Sequence, residues 1–244
     1  MVGRSAQFAG RVIARAARPP YEPRETVRQL FELGCRSVPL IAVSGFAVGV
    51  VLSMHTRASL ARFGAEALIP AGLALALVRE TGPLTAGLLL SGRIGAGIGA
   101  ELGAMKVTEQ VDALEASAVD SFSYLVVTRV IACVIAFPIL TSLMDFTGIV
   151  GGYAAETTIT GMPFRTYFRM ALSSIQFSDL IPATLKTAVF GFIIATVASY
   201  LGLNTTRGTE GVGQASTRSV VYSSILLIVA NVVLVRLIFF FYPV

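Results

Sequence analysis

Five apolar stretches alternate with short polar segments along the chain. They cover residues 37–54, 81–100, 130–144 and beyond, 187–206 and 219–235. About 20 apolar residues cross the hydrocarbon core of a bilayer as a helix, and the two-residue alternation of barrel strands does not recur. The pattern therefore predicts an all-α integral membrane protein with about five transmembrane helices.

The segment before the first apolar stretch has a different pattern. Residues 8–33 are typical of two helical pieces separated at Pro19 and Pro20. The second piece has an apolar and a charged side, formed by Val27, Leu30 and Phe31 and by Arg24, Arg28 and Glu32. This predicts an amphipathic helix in the membrane interface; a disordered arm is the alternative.

Composition and charge support a membrane protein and indicate its orientation. Of the 244 residues, 55% are hydrophobic and 14% are charged. The first 36 residues contain seven arginines and no signal-peptide core, and four further basic residues bring that side of the membrane to about eleven, against four on the other side. The positive-inside rule then places the N-terminus in the cytoplasm and the C-terminus outside. The pI of about 9.6 favours anionic lipid headgroups as a partner, and no nucleic acid is expected.

The sequence offers no group for catalysis, for a metal ion or for ATP. Cys35 and Cys133 lie far apart and the chain has one histidine, so no structural zinc site is expected. The pattern G-x-x-x-x-G-K-[S/T] does not occur. ATP hydrolysis by a P-loop mechanism is therefore not expected in this chain.

Small residues recur at every fourth position of the second apolar stretch and its continuation. They are Gly87, Ser91, Gly95, Gly99 and Gly103. Residues four apart lie on one ridge of a helix, and small side chains let a second helix approach closely. We expect this ridge to be a helix-packing surface.

An acidic segment, "ELGAMKVTEQVDALEASAVDS", separates the second and third apolar stretches. It predicts a short cytoplasmic helix in which Thr108 caps the start and Asp120 caps the helix that follows. The predicted helix has an acidic edge, formed by Glu109, Asp112 and Glu115, and an apolar face, formed by Val111, Leu114 and Ala118. Two interpretations stay open, a solvated loop helix and a docking element for a cytoplasmic partner.

Charged residues also occur at membrane depth. Arg79 and Glu80 lie between two apolar runs, where an isolated charge is costly. They either pair with groups of other chains or lie at the outer interface, or they form a polar point in a lipid-accommodating cavity. Four further ionisable residues in or next to the apolar stretches are either functional sites or pair between helices: Arg93, Asp145, Lys186 and Arg236.

Three segments resemble the MlaE/YrbE permease family, the membrane subunits of ABC-type lipid transporters. They are "VRETGPLTAGLLLSGR", "GRIGAGIGAELGAMKVTEQVDALEASAVDSFSYLVVTRVIA" and "LKTAVFGFIIATVASYLGLNTTRGTEGVGQASTRSVVYSSILL". The similarity covers about residues 30–235, with the same order and spacing. It implies an interfacial region at 1–36, an MlaE-type transmembrane domain at 37–244 and a coupling helix at about 107–118.

The resemblance also implies partners and site residues. The partners would be a second copy of the chain, two cytoplasmic ATPase subunits that bind ATP and Mg, and a periplasmic or membrane-anchored protein with an MCE domain. Residues that contact the ATPase would be Thr108, Glu109, Asp112, Leu114 and Glu115. Arg79 and Glu80 would lie at the lipid-binding cavity, with Leu52, Leu60 and Phe63 as its apolar wall. Ala118 and Ser121 stand where glycine and proline are usual in the family.

The expected function is that of a permease subunit, itself not an enzyme, which moves phospholipid between the bacterial cytoplasmic membrane and the outer envelope. One alternative is an ion-coupled secondary transporter or channel that uses Asp145, Lys186 or Glu80. No inverted internal repeat supports that alternative. A second alternative is a structural scaffold, for which Arg79 and Glu80 would not matter.

Overall fold

The regular secondary structure of the described residues is entirely helical. A computed structural model of the chain describes residues 2–17, 22–206 and 208–241. The α-helices in these residues are α1 (Val2–Ala16), α2 (Pro23–Gly34), α3 (Val38–Leu60), α4 (Ile69–Ala76), α5 (Gly82–Leu90), α6 (Ala96–Val107), α7 (Gln110–Ala116), α8 (Thr128–Thr160), α9 (Phe164–Ser173), α10 (Phe177–Leu203) and α11 (Gly208–Phe241). Pro19 and Pro20, where the sequence predicts a break, lie outside the described residues.

Short 3₁₀ and π turns join several of these helices into longer segments. Five such segments are long and apolar enough to cross a membrane: Pro23–Phe63, Glu66–Val107, Ser123–Thr160, Phe177–Leu203 and Gly208–Phe240. The predicted all-α membrane protein with five spanning helices is thus confirmed.

The predicted amphipathic helix is α2, which begins with Pro23 in its first turn. Val27 and Phe31 are exposed, whereas Glu25 and Gln29 are buried. The Glu25 carboxylate accepts hydrogen bonds from Arg28, Gln29 and the Tyr124 hydroxyl. Glu25 and Gln29 therefore pack on the protein. The predicted charged side is exposed at Arg24 and Arg28, and the apolar side is exposed at Val27 and Phe31. Its position in the membrane interface stays a prediction.

By their internal contacts the described residues form two compact units. The first takes its residues from Met1–Arg36, Gly87–Phe137 and Ala188–Val233, and the second from Ser37–Ala86, Pro138–Thr187 and Leu234–Val244. The division of the sequence into regions 1–36 and 37–244 stays a prediction.

In the second unit, α3 and α8 approach at backbone distance. A methyl group on Gly49 would collide with the carbonyl oxygen of Gly148, and one on Gly151 would collide with the carbonyl oxygen of Phe46. Small residues permit this approach in membrane proteins, where close van der Waals packing drives helix association. Beside this contact, Leu73, Leu77, Ile149 and Tyr167 form a buried cluster of α4, the π turn after it, α8 and α9.

Candidate functional site

The acidic helix of the sequence analysis is α7, in the first unit. It is shorter than the predicted helix at 107–118 and covers Gln110–Ala116. Two non-glycine residues with left-handed backbone bound it, Glu109 at φ 60° and Ala118 at φ 59°. Such a residue cannot continue a right-handed helix, so α7 ends on both sides where the backbone changes hand.

Thr108 does not cap α7 as the sequence analysis expected. It is the C-cap residue of α6, directly after Val107, and its hydroxyl donates to the carbonyl oxygen of Ala104 at 2.9 Å. The left-handed residue Glu109 separates it from α7, and no side chain caps the start of α7. The sequence signal was ambiguous because threonine also bonds to the carbonyl four residues before it.

The exit of α7 is a Schellman motif, in which a left-handed residue satisfies the last carbonyls of a helix. The amide of Ala118 donates to the carbonyl of Glu115 at 3.0 Å, and the amide of Val119 donates to that of Leu114 at 3.1 Å. Ala118 occupies the position that usually holds glycine. This chain forms the motif with alanine.

The acidic edge of α7 is exposed, and its apolar face is partly buried. Glu109, Asp112 and Glu115 are exposed, while Val111 is buried and Leu114 is half-buried. Asp112 accepts a 2.8 Å hydrogen bond from Lys106. Ala118 lies beyond the helix and is exposed, so it does not extend the apolar face that the sequence analysis assigned to it.

Glu115 and Asp120 tie α7 to the helix that follows. Ser121 donates a hydrogen bond to the Glu115 carboxylate at 2.6 Å. Asp120 caps the next helix, as expected, by accepting from the amide and hydroxyl of Ser123. Although partial desolvation acts to raise it, the hydrogen bonds from Ser123 and the nearby Arg15 guanidinium hold the pKa of Asp120 below its usual value.

The N-terminal helix α1 docks at this same exit. The ring of Phe8 makes edge contacts with Phe122 and Tyr200, at centroid distances of 5.3 and 5.4 Å. Arg15 forms an ion pair with Asp120 at 3.2 Å. Helix α1 thus contacts the segment that follows α7 directly.

A buried arginine stands beside α7 in the first unit. Arg129 is 1% exposed; it donates to the carbonyl of Leu125 at 2.6 Å and to the carboxylate of Glu101 at 2.8 Å. The residue lines a cavity of about 390 Å³ together with Glu25, Thr108 and Gln110. Sequence reasoning did not predict that Arg129 is buried and paired with Glu101.

The small-residue ridge faces α10, α11 and the short segment between them. A methyl group on Gly99 would contact Ser219 and the carbonyl of Ala215, and one on Gly103 would lie 3.0 Å from the Thr205 hydroxyl. The other three positions also face residues of α10 or α11: Gly87 faces Leu227 and Phe190, Ser91 forms a hydrogen bond with Ser224, and Gly95 faces Ile194. The ridge therefore lies at close helix contacts, at positions where a larger side chain has little or no room.

Arg79 and Glu80 lie in the second unit, on the π turn Leu77–Thr81 between α4 and α5. Arg79 forms an ion pair with Asp179 at 2.7 Å, and Glu80 forms one with Lys186 at 3.1 Å. Lys186 also donates to the carbonyl of Arg79 at 2.9 Å. Both charges are thus paired within this chain and not, as one alternative of the sequence analysis had it, with groups of other chains. π turns of this kind are frequent at functional sites.

Asp145 lies against Gly82, the first residue of α5 after this turn. Its side chain is buried, and a methyl group on Gly82 would collide with its Oδ1 atom. Asp179, Lys186 and Asp145 are functional candidates that the sequence analysis either missed or left without a role. Their signal was present, since all three are ionisable residues in or next to apolar stretches, but their partners were not predictable from spacing.

The three residues predicted for an apolar cavity wall differ in their burial and in their neighbours. Leu52 packs against the cluster that contains Leu77, next to the turn with Arg79 and Glu80. Leu60 is half-buried, and Phe63 is 82% exposed. Of the three, the structure brings only Leu52 to the surroundings of the charged turn, and the cavity wall stays a prediction.

Comparison with known proteins decides the family. Residues 26–237 match the family described as Permease MlaE. The chain belongs to this family. It is 38% identical over 238 residues to a probable ABC transporter permease protein of Rickettsia bellii, an alignment that covers 98% of this chain and 92% of that protein.

Two further relatives extend the MlaE family match. The chain is 34% identical over 232 residues to a probable ABC transporter permease protein of Synechocystis, which covers 95% of this chain and 88% of the relative. It is 33% identical over 214 residues to the intermembrane phospholipid transport system permease protein MlaE of Haemophilus influenzae, which covers 87% of this chain and 82% of that protein. The chain is thus an MlaE-family ABC permease and a multi-pass membrane protein, and the resemblance found in the sequence is confirmed.

Proposed function

We propose that this MlaE-family permease moves phospholipid between the bacterial cytoplasmic membrane and the outer envelope. The match to the family across residues 26–237, which includes a relative named as a phospholipid transport permease, carries the proposal. Separate ATPase subunits supply the free energy of ATP hydrolysis, and the permease itself is not an enzyme. The N-terminus lies in the cytoplasm.

Helix α7 is the proposed contact with the ATPase. Three exposed carboxylates and the half-buried Leu114 give it the mixed acidic and apolar surface of a docking element. The helix is held at its exit by the Schellman motif and by the bond from Ser121 to Glu115. A short helix fixed in this way moves with the spans on either side, so it transmits a push from the partner into the membrane.

Arg79 and Glu80 form the polar end of the proposed lipid cavity. Both are partly exposed, at 36% and 47% of their side chains. A guanidinium binds phosphate through paired charge-assisted hydrogen bonds, and a carboxylate accepts from an ammonium or hydroxyl group of a headgroup. Leu52, Leu60 and Phe63 contribute apolar surface for acyl chains.

The proposed assembly contains two copies of this chain, two ATPase subunits and a protein with an MCE domain that receives or delivers the lipid. Helix α11 leaves large apolar side chains exposed, among them Val232 and Phe240. Such a surface in a membrane protein contacts lipid or another apolar helix, which is compatible with a second copy.

Purification from native membranes tests this assembly. The tagged chain is solubilised in detergent, and co-purifying proteins and lipids are identified by mass spectrometry. We expect a P-loop ATPase, an MCE-domain protein and phospholipid. Recovery of this chain alone, with ion flux after reconstitution, would instead support the ion-coupled alternative.

Two substitutions, one that reverses a charge and one that places a charge on the apolar face, test the role of α7. Glu109→Lys and Leu114→Asp are expected to reduce lipid-stimulated ATP turnover of the purified complex at least about tenfold, because removal of a few central contacts dominates the energy of an interface. Glu22→Lys, at an exposed position before α2, is the matched control and should leave turnover unchanged. Normal turnover in both α7 variants would exclude α7 as the coupling helix.

A further inference from the structure

Helix α7 joins the spanning segments on either side of it through two breaks in the helical backbone. Glu109 at its start and Ala118 after its end both have left-handed backbone. A residue of this hand interrupts the helical hydrogen bonds, so the backbone alone does not fix the angle between α7 and its neighbours. A push on α7 could then be absorbed by bending at these two residues, unless side chains hold the angle.

Two side-chain contacts brace α7 against its neighbours. At the entry, Lys106 of α6 donates to Asp112 at 2.8 Å, and at the exit Ser121 donates to Glu115 at 2.6 Å. The side chains of Lys106 and Asp112 are 35% and 57% exposed, and exposed ion pairs contribute little to stability. These two braces connect α7 to each neighbour, but they do not connect the neighbours to each other.

Arg129 and Glu101 make that third connection. The guanidinium of Arg129, at the start of α8, forms a 2.8 Å ion pair with Glu101 of α6 and also donates to the carbonyl of Leu125. Within the described part of the chain, Arg129 pairs with no other carboxylate. The arginine is buried, and a buried charge that loses its counter-ion is strongly destabilising. The pair therefore holds α6 to the start of α8, about 9 Å before the end of α6.

Apolar packing does not replace this ion pair. A cavity of about 390 Å³ lies beside it, lined among others by Glu25 of α2, Ala104 of α6 and Tyr124 of the π turn Ser123–Val127. A close-packed interior transmits a displacement, whereas atoms on opposite sides of an open space have no contact through which to transmit it. Beside the cavity, the ion pair thus connects α6 to α8 where packing is absent.

We infer that the pair of Arg129 and Glu101 closes a frame of α6, α7 and the start of α8, so that a push on α7 displaces both neighbours as one body. The two braces form the other corners of this frame. Arg129 and Glu101 are positioning residues, since they act through α7 and contact neither ATP nor the lipid. The coupling half of this inference rests on the proposed role of α7, whereas the fixed spacing of α6 and α8 does not.

The amount of phospholipid transported per ATP hydrolysed tests the coupling half, in vesicles that contain the full complex. Glu101→Gln with Arg129→Met removes the pair without leaving a buried charge, so the Tm should stay within about 4 °C of that of the unaltered permease. Transport per ATP should nevertheless fall at least about fivefold. A pair that only stabilised the fold would leave this ratio unchanged.

Two further variants make the test specific. Glu101→Gln alone should lower Tm by more than about 6 °C, because Arg129 then stays buried without a counter-ion; addition of Arg129→Met should restore the Tm but not the transport per ATP. Glu32→Gln with Arg36→Gln is the control, since it removes a partly exposed pair within one spanning segment, and it should change neither quantity. Unchanged transport per ATP in the double variant of Glu101 and Arg129 would overturn the coupling role.

A distance measurement tests the frame while the pair is intact. In a variant without Cys35 and Cys133, spin labels are attached at Gly97→Cys of α6 and Ile135→Cys of α8, both exposed positions. In the full complex their distance should be the same with and without ATP, and its distribution should broaden when Glu101→Gln and Arg129→Met are added. A distance that changes with ATP while the pair is present, or a distribution that is equally narrow without it, would overturn the frame.

The two measurements separate this inference from the proposed function. Absence of ATP-driven phospholipid transport by the unaltered complex would refute the proposed function. The unfolding of the Glu101 and Arg129 variants and the distance between the labels do not depend on the transported substrate, so they would still decide whether the pair fixes α6 to α8.

Discussion

Ala118 has a backbone conformation that is unfavourable for a residue with a Cβ atom. At φ 59° it ends α7, and glycine adopts this region at no steric cost. We expect Ala118→Gly to stabilise the permease by about 1 kcal/mol, seen as a higher Tm in thermal unfolding. Ala113→Gly, inside the same helix, should lower stability by about 1 kcal/mol. A loss of Tm in both variants would show that the left-handed turn costs nothing here.

Arg57 offers a second test at the residue scale, because it pairs with two carboxylates in different surroundings. Glu156 is 1% exposed and Glu66 is 47% exposed. Arg57→Ala leaves the Glu156 charge buried without its partner, which should cost about 3 kcal/mol or more. Glu66→Ala removes only an exposed pair and should cost less than about 1 kcal/mol. Equal losses of Tm in the two variants would contradict this difference.

At the scale of helices, the contact between α3 and α8 depends on glycine. A methyl group on Gly49 meets the backbone of Gly148, which cannot turn aside, whereas a methyl group on Gly72 meets nothing within 4 Å. The same change, glycine to alanine, should therefore alter the free energy of unfolding differently at the two positions. Gly49→Ala should destabilise by about 1–3 kcal/mol, and Gly72→Ala, in α4, should be neutral or stabilising. Thermal unfolding and the yield of monodisperse protein measure both; equal behaviour would refute the close contact.

The existence of the five spanning helices was predictable, but their ends were not. The first apolar stretch stops at Met54 in the sequence, yet the helical segment continues to Phe63. Arg57 makes the stretch look finished, but Glu156 neutralises it from 99 residues away. A hydropathy profile includes the free-energy cost of placing a charged residue in the membrane. It does not include a partner far along the chain that lowers this cost by forming an ion pair.

At the scale of the whole chain, the same limit applies to the candidate site. Arg79 and Asp179 are separated by 100 residues, and Glu80 and Lys186 by 106. Sequence alone marked these residues as costly in a membrane, and the family resemblance gave Arg79 and Glu80 a role. Only the folded structure shows which carboxylate forms an ion pair with which basic residue. The short acidic helix was easier to predict, because its pattern is local. Its length was not predictable, because two residues with left-handed backbone bound it.

We propose that a push on α7 moves α6, which carries the ridge residue Gly103, relative to the segment after α10, which carries Thr205. Gly103 and Thr205 permit a direct test, since a Cβ on Gly103 would lie 3.6 Å from that of Thr205, within the range of disulfides. In a variant without Cys35 and Cys133, Gly103→Cys with Thr205→Cys should form a disulfide that reduces phospholipid transport at least about tenfold, and a reductant should restore it. Each single cysteine variant is the control and should transport normally. Full transport by the oxidised double variant would mean that the ridge stays fixed at this point during the cycle, and that coupling passes from α7 through another helix contact.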